Sequence, residues 1–183
     1  MEYEMNFTAK YNKKITATAK MYKSFQIEKI EKWEISLSEP DEGRIDGAFI
    51  DIVFKECNEG FTVSFDIVNS NAGNVGYGTV LLKAMIELVA KYEKDHNCKP
   101  LYVVGNLAYI DKHYGNWRTS LPFYNNFPNT YNNENENQPY NIIVEFRLKP
   151  QKSESLKDGK LVSLDELLSS NEVESANVLF RLS

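Results

Sequence analysis

The chain is poor in the residues from which disulfide frameworks and metal sites are built. Its 183 residues include two cysteines and two histidines. Cys57 and Cys98 are too few to staple a domain of this length and lack CxxC spacing, while His96 and His113 form no HExxH or other paired-histidine pattern. No metal is therefore expected, and a reducing cytoplasm is the expected location. Nor is there an excess of positive charge. With 21 Lys+Arg against 26 Asp+Glu, the formal net charge is −5, which repels phosphate backbones and anionic lipid, so neither nucleic acid nor a membrane is an expected partner. Long hydrophobic runs are missing too. The longest apolar stretch, Val80 to Ala90, is broken by Lys83 and Glu87, and the opening MEYEMNFTAK lacks the basic start and apolar run of a secretory signal.

What is there reads as one globular domain over 1–183 with a mixed α/β pattern, residues 1–24 being atypical and 150–177 a linking segment. Phe25, Ile27, Trp33, Ile35 and Leu37 share one parity and predict a strand. The turn Pro40-Asp41-Glu42-Gly43 leads to a second alternating run at 45–56, and Asn58-Glu59-Gly60 leads to a third, with Phe61, Val63, Phe65 and Ile67 on one face. These make an antiparallel meander. The sequence NSNAGNVGYG then places Gly73, Gly76 and Gly78 directly before TVLLKAMIELVAKYEK, a helix whose Lys83, Glu87 and Lys91 recur as a stripe expected to face water. A buried strand at 101–104 follows, so strand, glycine turn, helix and strand form a βαβ unit with parallel pairing. Beyond it we expect a short helix over 117–126. An Asn-rich loop over 125–141, with eight asparagines, should follow it. A strand at 142–148, a helical turn or two within 161–168 and a terminal strand around Val178 complete the chain; that last strand can finish its own sheet or pair with a second copy, giving a homodimer.

Glycines between a strand and a helix expose backbone N–H groups at the positive end of a helix dipole, which is an anion cradle. Two common designs do not fit. GxxxxGK[ST] lacks its lysine, because Gly73 to Gly78 is followed by Thr79-Val80, and GxGxxG lacks its third glycine. GNVGYGTVLL at 73–82 instead resembles the pyrophosphate loop of the GNAT superfamily of acyl-CoA-dependent N-acyltransferases, patterned [Q/R]xxGxG/A, with Gly76 and Gly78 as its GxG. Ser120-Leu121-Pro122-Phe123-Tyr124 with Phe127 looks like that family's late [A/S]xx[F/L]YxxxGF signature. The likeness covers roughly residues 30–149. It departs at Gly73, where the family has Gln or Arg, at Asn116, one residue early, and at the tail of the late motif, which reads FP.

The resemblance implies a mixed α/β GNAT-like fold and acetyl-CoA, or another acyl-CoA, as cosubstrate, with direct transfer to a small-molecule or peptide amine. It implies that Ile67, Val68 and Asn69 pair with the pantetheine amides, and that Gly73, Asn74, Val75, Gly76, Tyr77, Gly78 and Thr79 receive the pyrophosphate. Asn106 and Ser120 are assigned to the cofactor as well. Tyr124 takes the place of the acid that protonates the leaving thiolate, a role suited to a phenol with an ordinary pKa near 10. Asp66, on the polar face of the strand entering the cradle, is the candidate base, and Glu56 a weaker one. Each has a plainer alternative: a simple turn, a packed aromatic, a solvated sheet carboxylate. The alternative for the whole chain is a non-catalytic module that binds a protein partner or senses acyl-CoA.

Overall fold

A computed structural model describes residues 2–8, 14–39, 43–66, 76–107, 115–133, 137–149, 159–170, 173 and 175–183. The fold is mixed α/β and divides into two compact units, Met1–Pro100 and Leu101–Ser183. The strands at 61–67 and 101–104, between which a parallel pairing was expected, fall in different units.

The first unit is a five-stranded antiparallel meander, β1 (Glu2–Thr8), β2 (Lys14–Ile27), β3 (Ile30–Glu39), β4 (Gly43–Cys57) and β5 (Gly60–Phe65), followed by α1 (Tyr77–His96). The expected strand over 25–37 is two strands. Glu28, at φ 45°, and Lys29 turn the chain so that Ile27 pairs with Ile30. Phe25 and Ile27 consequently lie exposed on β2, whereas Ile35 and Leu37 of β3 are fully buried. No glycine, proline or asparagine marks this turn, and the charges at Lys29 and Glu31 were its only trace. The inner face of the meander carries Met21, Ile35, Ile50, Ile52, Phe54, Val63 and Phe65. The helix α1 packs on β2, β3 and β4, closing the core with Leu81, Met85, Leu88 and Tyr92.

The wet stripe expected on α1 holds only in its second half. Lys91 is exposed and pairs with Asp95, but Glu87 is half-buried and Lys83 is 5% exposed. A lysine can be packed this way because its stem is aliphatic. Burial still leaves its mark, pushing the Lys83 ammonium below its ordinary pKa and the Glu87 carboxyl above its own.

The second unit is an antiparallel sheet in the order β6 (Pro100–Leu107), β9 (Ala176–Leu182), β7 (Ile142–Leu148), β8 (Leu161–Val162), with α2 (Trp117–Asn132) and α3 (Leu164–Ser169). The terminal strand thus completes its own sheet, flanked on both sides, and offers no edge to a second copy. The eight asparagines do not make one long loop either, because α2 continues to Asn132. Trp117, Leu121, Tyr124, Phe127 and Tyr131 recur at helical spacing and are buried; this apolar stripe outweighs the missing N–H groups of Pro122 and Pro128. Asn132 ends the helix usefully, donating to Ile142 O and accepting from Ile142 N, each at 3.0 Å. Ser163 caps α3 by accepting from Glu166 N at 3.1 Å, the opening of an S-x-x-E capping box.

Candidate functional site

The residues expected to bind a cofactor divide between the two units. Ile67, Val68, Asn69, Gly73, Asn74 and Val75 lie outside the described residues. In the first unit, Gly76 is the N-cap of α1 with φ 98° and ψ −2°, a left-handed conformation that favours glycine. Its carbonyl accepts from Val80 N at 3.2 Å, starting the helical ladder. The N–H groups of Tyr77, Gly78 and Thr79 therefore belong to the helix's opening turn, whose donors have no acceptor within the helix. Among the described residues no side chain caps that end, and its first turn holds no acid. Lys94 and His96 stand in the last turn, where cations suit the dipole. Gly78 and Thr79 are half-buried, and Tyr77 is buried with its hydroxyl donating to Glu39 Oε1 at 2.9 Å. That bond fixes the start of α1 to the end of β3. Asp66 follows β5 directly. It is exposed, and its backbone N–H donates to Asp51 O at 3.2 Å.

In the second unit, Ser120 and Tyr124 lie one turn apart on α2. Ser120 is half-buried and its N–H closes the first turn onto Asn116 O at 2.9 Å. Tyr124 is buried; its ring centroid lies 5.2 Å from Phe123 and meets Phe180 edge-on at 6.3 Å. Phe127 packs on the same Phe180 ring at 5.7 Å. Asn106 is exposed on β6, opposite the buried Asn177 of β9. Asp66 and Tyr124, the two candidate proton-transfer groups, are thus held in different units by different cores.

One cluster was not legible beforehand. Glu56 Oε1 accepts from the Tyr92 hydroxyl at 3.0 Å and lies 2.7 Å from His96 Nδ1. Phe54, Tyr92 and His96 stack in succession, at 4.3 Å and 15°, then 3.9 Å and 12°. The His96 hydrogen bond, helped by those of Tyr92 and by the charges of His96 and Lys29, holds the Glu56 carboxyl below its ordinary range against the opposing effect of burial. Burial and the carboxylate it donates to push the Tyr92 phenol well above its usual pKa. A carboxylate so engaged is a poor free base. The signal that existed was the i, i+4 spacing of Tyr92 and His96, which puts both on one helix face.

The cysteines behave as ordinary thiols. Cys57 is exposed, Cys98 is half-buried, and burial, with the neighbouring Glu56, pushes the Cys98 thiol up, opposite to an activated nucleophile. His113 lies outside the described residues. Among the described residues no group of three or more His, Cys, Asp or Glu side chains is placed to hold a metal ion, and no helix is long and apolar enough to cross a membrane.

No family model matches the chain, and no curated protein matches its sequence. Among solved structures, one described as a "putative acetyltransferase" from Sphaerobacter thermophilus DSM 20745 overlaps 83% of this chain and 70% of its own, with 10% sequence identity and a TM-score of 0.30. An overlap that loose assigns no activity.

Proposed function

We propose that the chain is an N-acyltransferase that moves an acyl group from acetyl-CoA, or another acyl-CoA, to an amine. The observation that supports this best is the start of α1. There a glycine at φ 98° leads into a helix whose first turn holds no acid and, among the described residues, no side-chain cap. A diphosphate is the kind of group such a turn receives, through backbone N–H groups and the helix dipole. Gly76, Tyr77, Gly78 and Thr79 would take that part of the cosubstrate. The acceptor nitrogen would attack the thioester carbonyl, forming a C–N bond as the C–S bond breaks. Asp66, exposed to solvent beside the end of β5, would take the proton from the amine, directly or through water. Tyr124 would give its phenolic proton to the departing sulfur.

A second reading, a non-catalytic acyl-CoA sensor, is favoured by Tyr124 being only 8% exposed among Phe123 and Phe180, where the ring serves packing. Calorimetric titration with acetyl-CoA and CoA tests both. Binding that disappears in Gly76→Glu, with the variant's circular dichroism unchanged, supports the cradle. A screen of amine acceptors in which Tyr124→Phe keeps binding but slows turnover about a hundredfold supports the enzyme. Binding without turnover on any amine supports the sensor, and no binding by the folded wild type refutes both.

A further inference from the structure

The helix α1 is tied to the meander at both ends by the same chemical pair, a tyrosine hydroxyl donating to a glutamate. Near its end Tyr92 reaches Glu56 Oε1 of β4 at 3.0 Å, and at its first residue Tyr77 reaches Glu39 Oε1 at 2.9 Å. Glu39 closes β3, a strand paired with β2 on one side and β4 on the other, and its own backbone sits opposite Gly43 of β4. The carboxylate therefore hangs from a paired strand. Tyr77 is 7% exposed, and a hydrogen bond to an ionised acceptor gains strength when one partner is shielded from water.

The first of these bonds bears directly on the candidate site. The donors offered by Tyr77, Gly78 and Thr79 are backbone N–H groups, which no rotamer change can re-aim; their direction depends on how the helix is seated. Gly76 and Gly78 carry no side chain and Thr79 a short one, so Tyr77 holds the one long side chain of this turn. Groups that receive a ligand must be held within about 0.5 Å of their productive positions by neighbours that are themselves fixed. The bond from Tyr77 to Glu39 does this for the turn, where a ring without its hydroxyl is free to slide. It also holds the Glu39 carboxylate at the far end of the Tyr77 ring from the N–H groups, for which a carboxylate competes with an anionic ligand.

We propose that Tyr77, acting through Glu39, is the positioning residue of the turn that receives the diphosphate of the cosubstrate. The proposal rests on the acyl-CoA reading and adds a side-chain determinant of affinity to the glycines. Calorimetric titration of the full chain with CoA, and with inorganic pyrophosphate in competition, tests it. Tyr77→Phe keeps the ring and loses the donor, and Glu39→Leu loses the acceptor. Each should raise Kd for both ligands by about tenfold, and the double variant should lose no more than either alone. Glu39→Gln keeps an acceptor oxygen and should bind within about twofold of wild type. Tyr92→Phe removes the matching bond at the other end of α1; it should lower the melting temperature and leave both Kd values unmoved. Wild-type affinity in Tyr77→Phe and Glu39→Leu overturns the proposal and leaves the acyl-CoA reading standing. A weakening that Tyr92→Phe shares equally, or one confined to CoA and absent for pyrophosphate, overturns it too. A folded wild type that binds neither ligand overturns both the proposal and the reading beneath it.

Discussion

Replacing Glu56 by Gln removes one negative charge and leaves the side chain almost the same size. In the wild type, a single oxygen accepts from Tyr92 at 3.0 Å and lies 2.7 Å from His96 Nδ1. Two hydrogen bonds to an ionised acceptor are worth about 1.5–3 kcal/mol each when shielded from water. Here the Glu56 and His96 side chains are 31% and 32% exposed. Solvent screening therefore brings the pair toward the surface scale, and the loss expected at neutral pH is about 1–2 kcal/mol. For a chain of this length that is a fall in Tm of about 3–6 °C. The pH dependence has a definite sign. A carboxyl held below its unfolded pKa stabilises the fold above that unfolded value, and the contribution disappears as pH falls through the folded value. The gap between wild type and Glu56→Gln should accordingly be full at pH 7 and narrow as the pH drops below about 4.5. Thermal melts followed by circular dichroism at a series of pH values measure it. Tyr92→Phe, which keeps the stack on Phe54 and His96 but loses the hydroxyl, completes a double-mutant cycle with Glu56→Gln. A Tm gap as large in acid as at neutral pH, or a cycle with no coupling, would show that this carboxylate does not tie α1 to β4.

Other substitutions probe different parts of the fold. Asn177 is 3% exposed and its Nδ2 has no hydrogen-bond partner among the described residues, so Asn177→Leu is expected to be neutral or to stabilise by about 1 kcal/mol in urea unfolding, and a clear destabilisation would mean that the amide is in use. Lys83→Met removes an ammonium whose burial lowers its pKa, so any gain of the variant over wild type should be greatest at and below neutral pH. Since its folded pKa is lowered, the gain should shrink as pH rises toward the unfolded value near 10, and a gain independent of pH would point to packing alone. Asn132→Ala removes both bonds to Ile142 and should cost about 1–2 kcal/mol; chemical denaturation that finds no change would mean the clamp is idle.

Legibility in the sequence followed the strength of local periodicity. The strands at 45–56 and 61–65 and the long helix were readable because apolar alternation and helical spacing are written directly in Ile50-Ile52-Phe54, Phe61-Val63-Phe65 and Leu81 to Tyr92. The hairpin at Glu28-Lys29 was not, since its turn uses residues with no turn preference and the parity of Phe25 and Ile27 matches that of Ile35. The second half of α2 was hidden by composition: asparagines and two prolines argue against a helix locally, while the aromatic stripe that holds it needs Phe180, more than fifty residues away. Lys83 was misread for a similar reason, because spacing gives a face of the helix but not what lies over it. Of the candidate site, the glycine at the start of α1 was legible. The Glu56–Tyr92–His96 cluster was not, as it depends on which end of β4 meets the last turn of α1.

The position of β9 between β6 and β7 sets the order in which the second unit can be made. Strands β6 and β7 acquire no common partner until residues 176–182 have been synthesised and have left the ribosome. Until then, the facing edges of β6 and β7 and the aromatic face of α2 lack the strand that brings Phe180 to them. Folding of this half therefore waits for residues 176–182 and is driven by contacts distant in sequence, which makes it slow relative to the hairpin-by-hairpin assembly open to the first unit. Exposed strand edges during that interval are where association between nascent chains would begin.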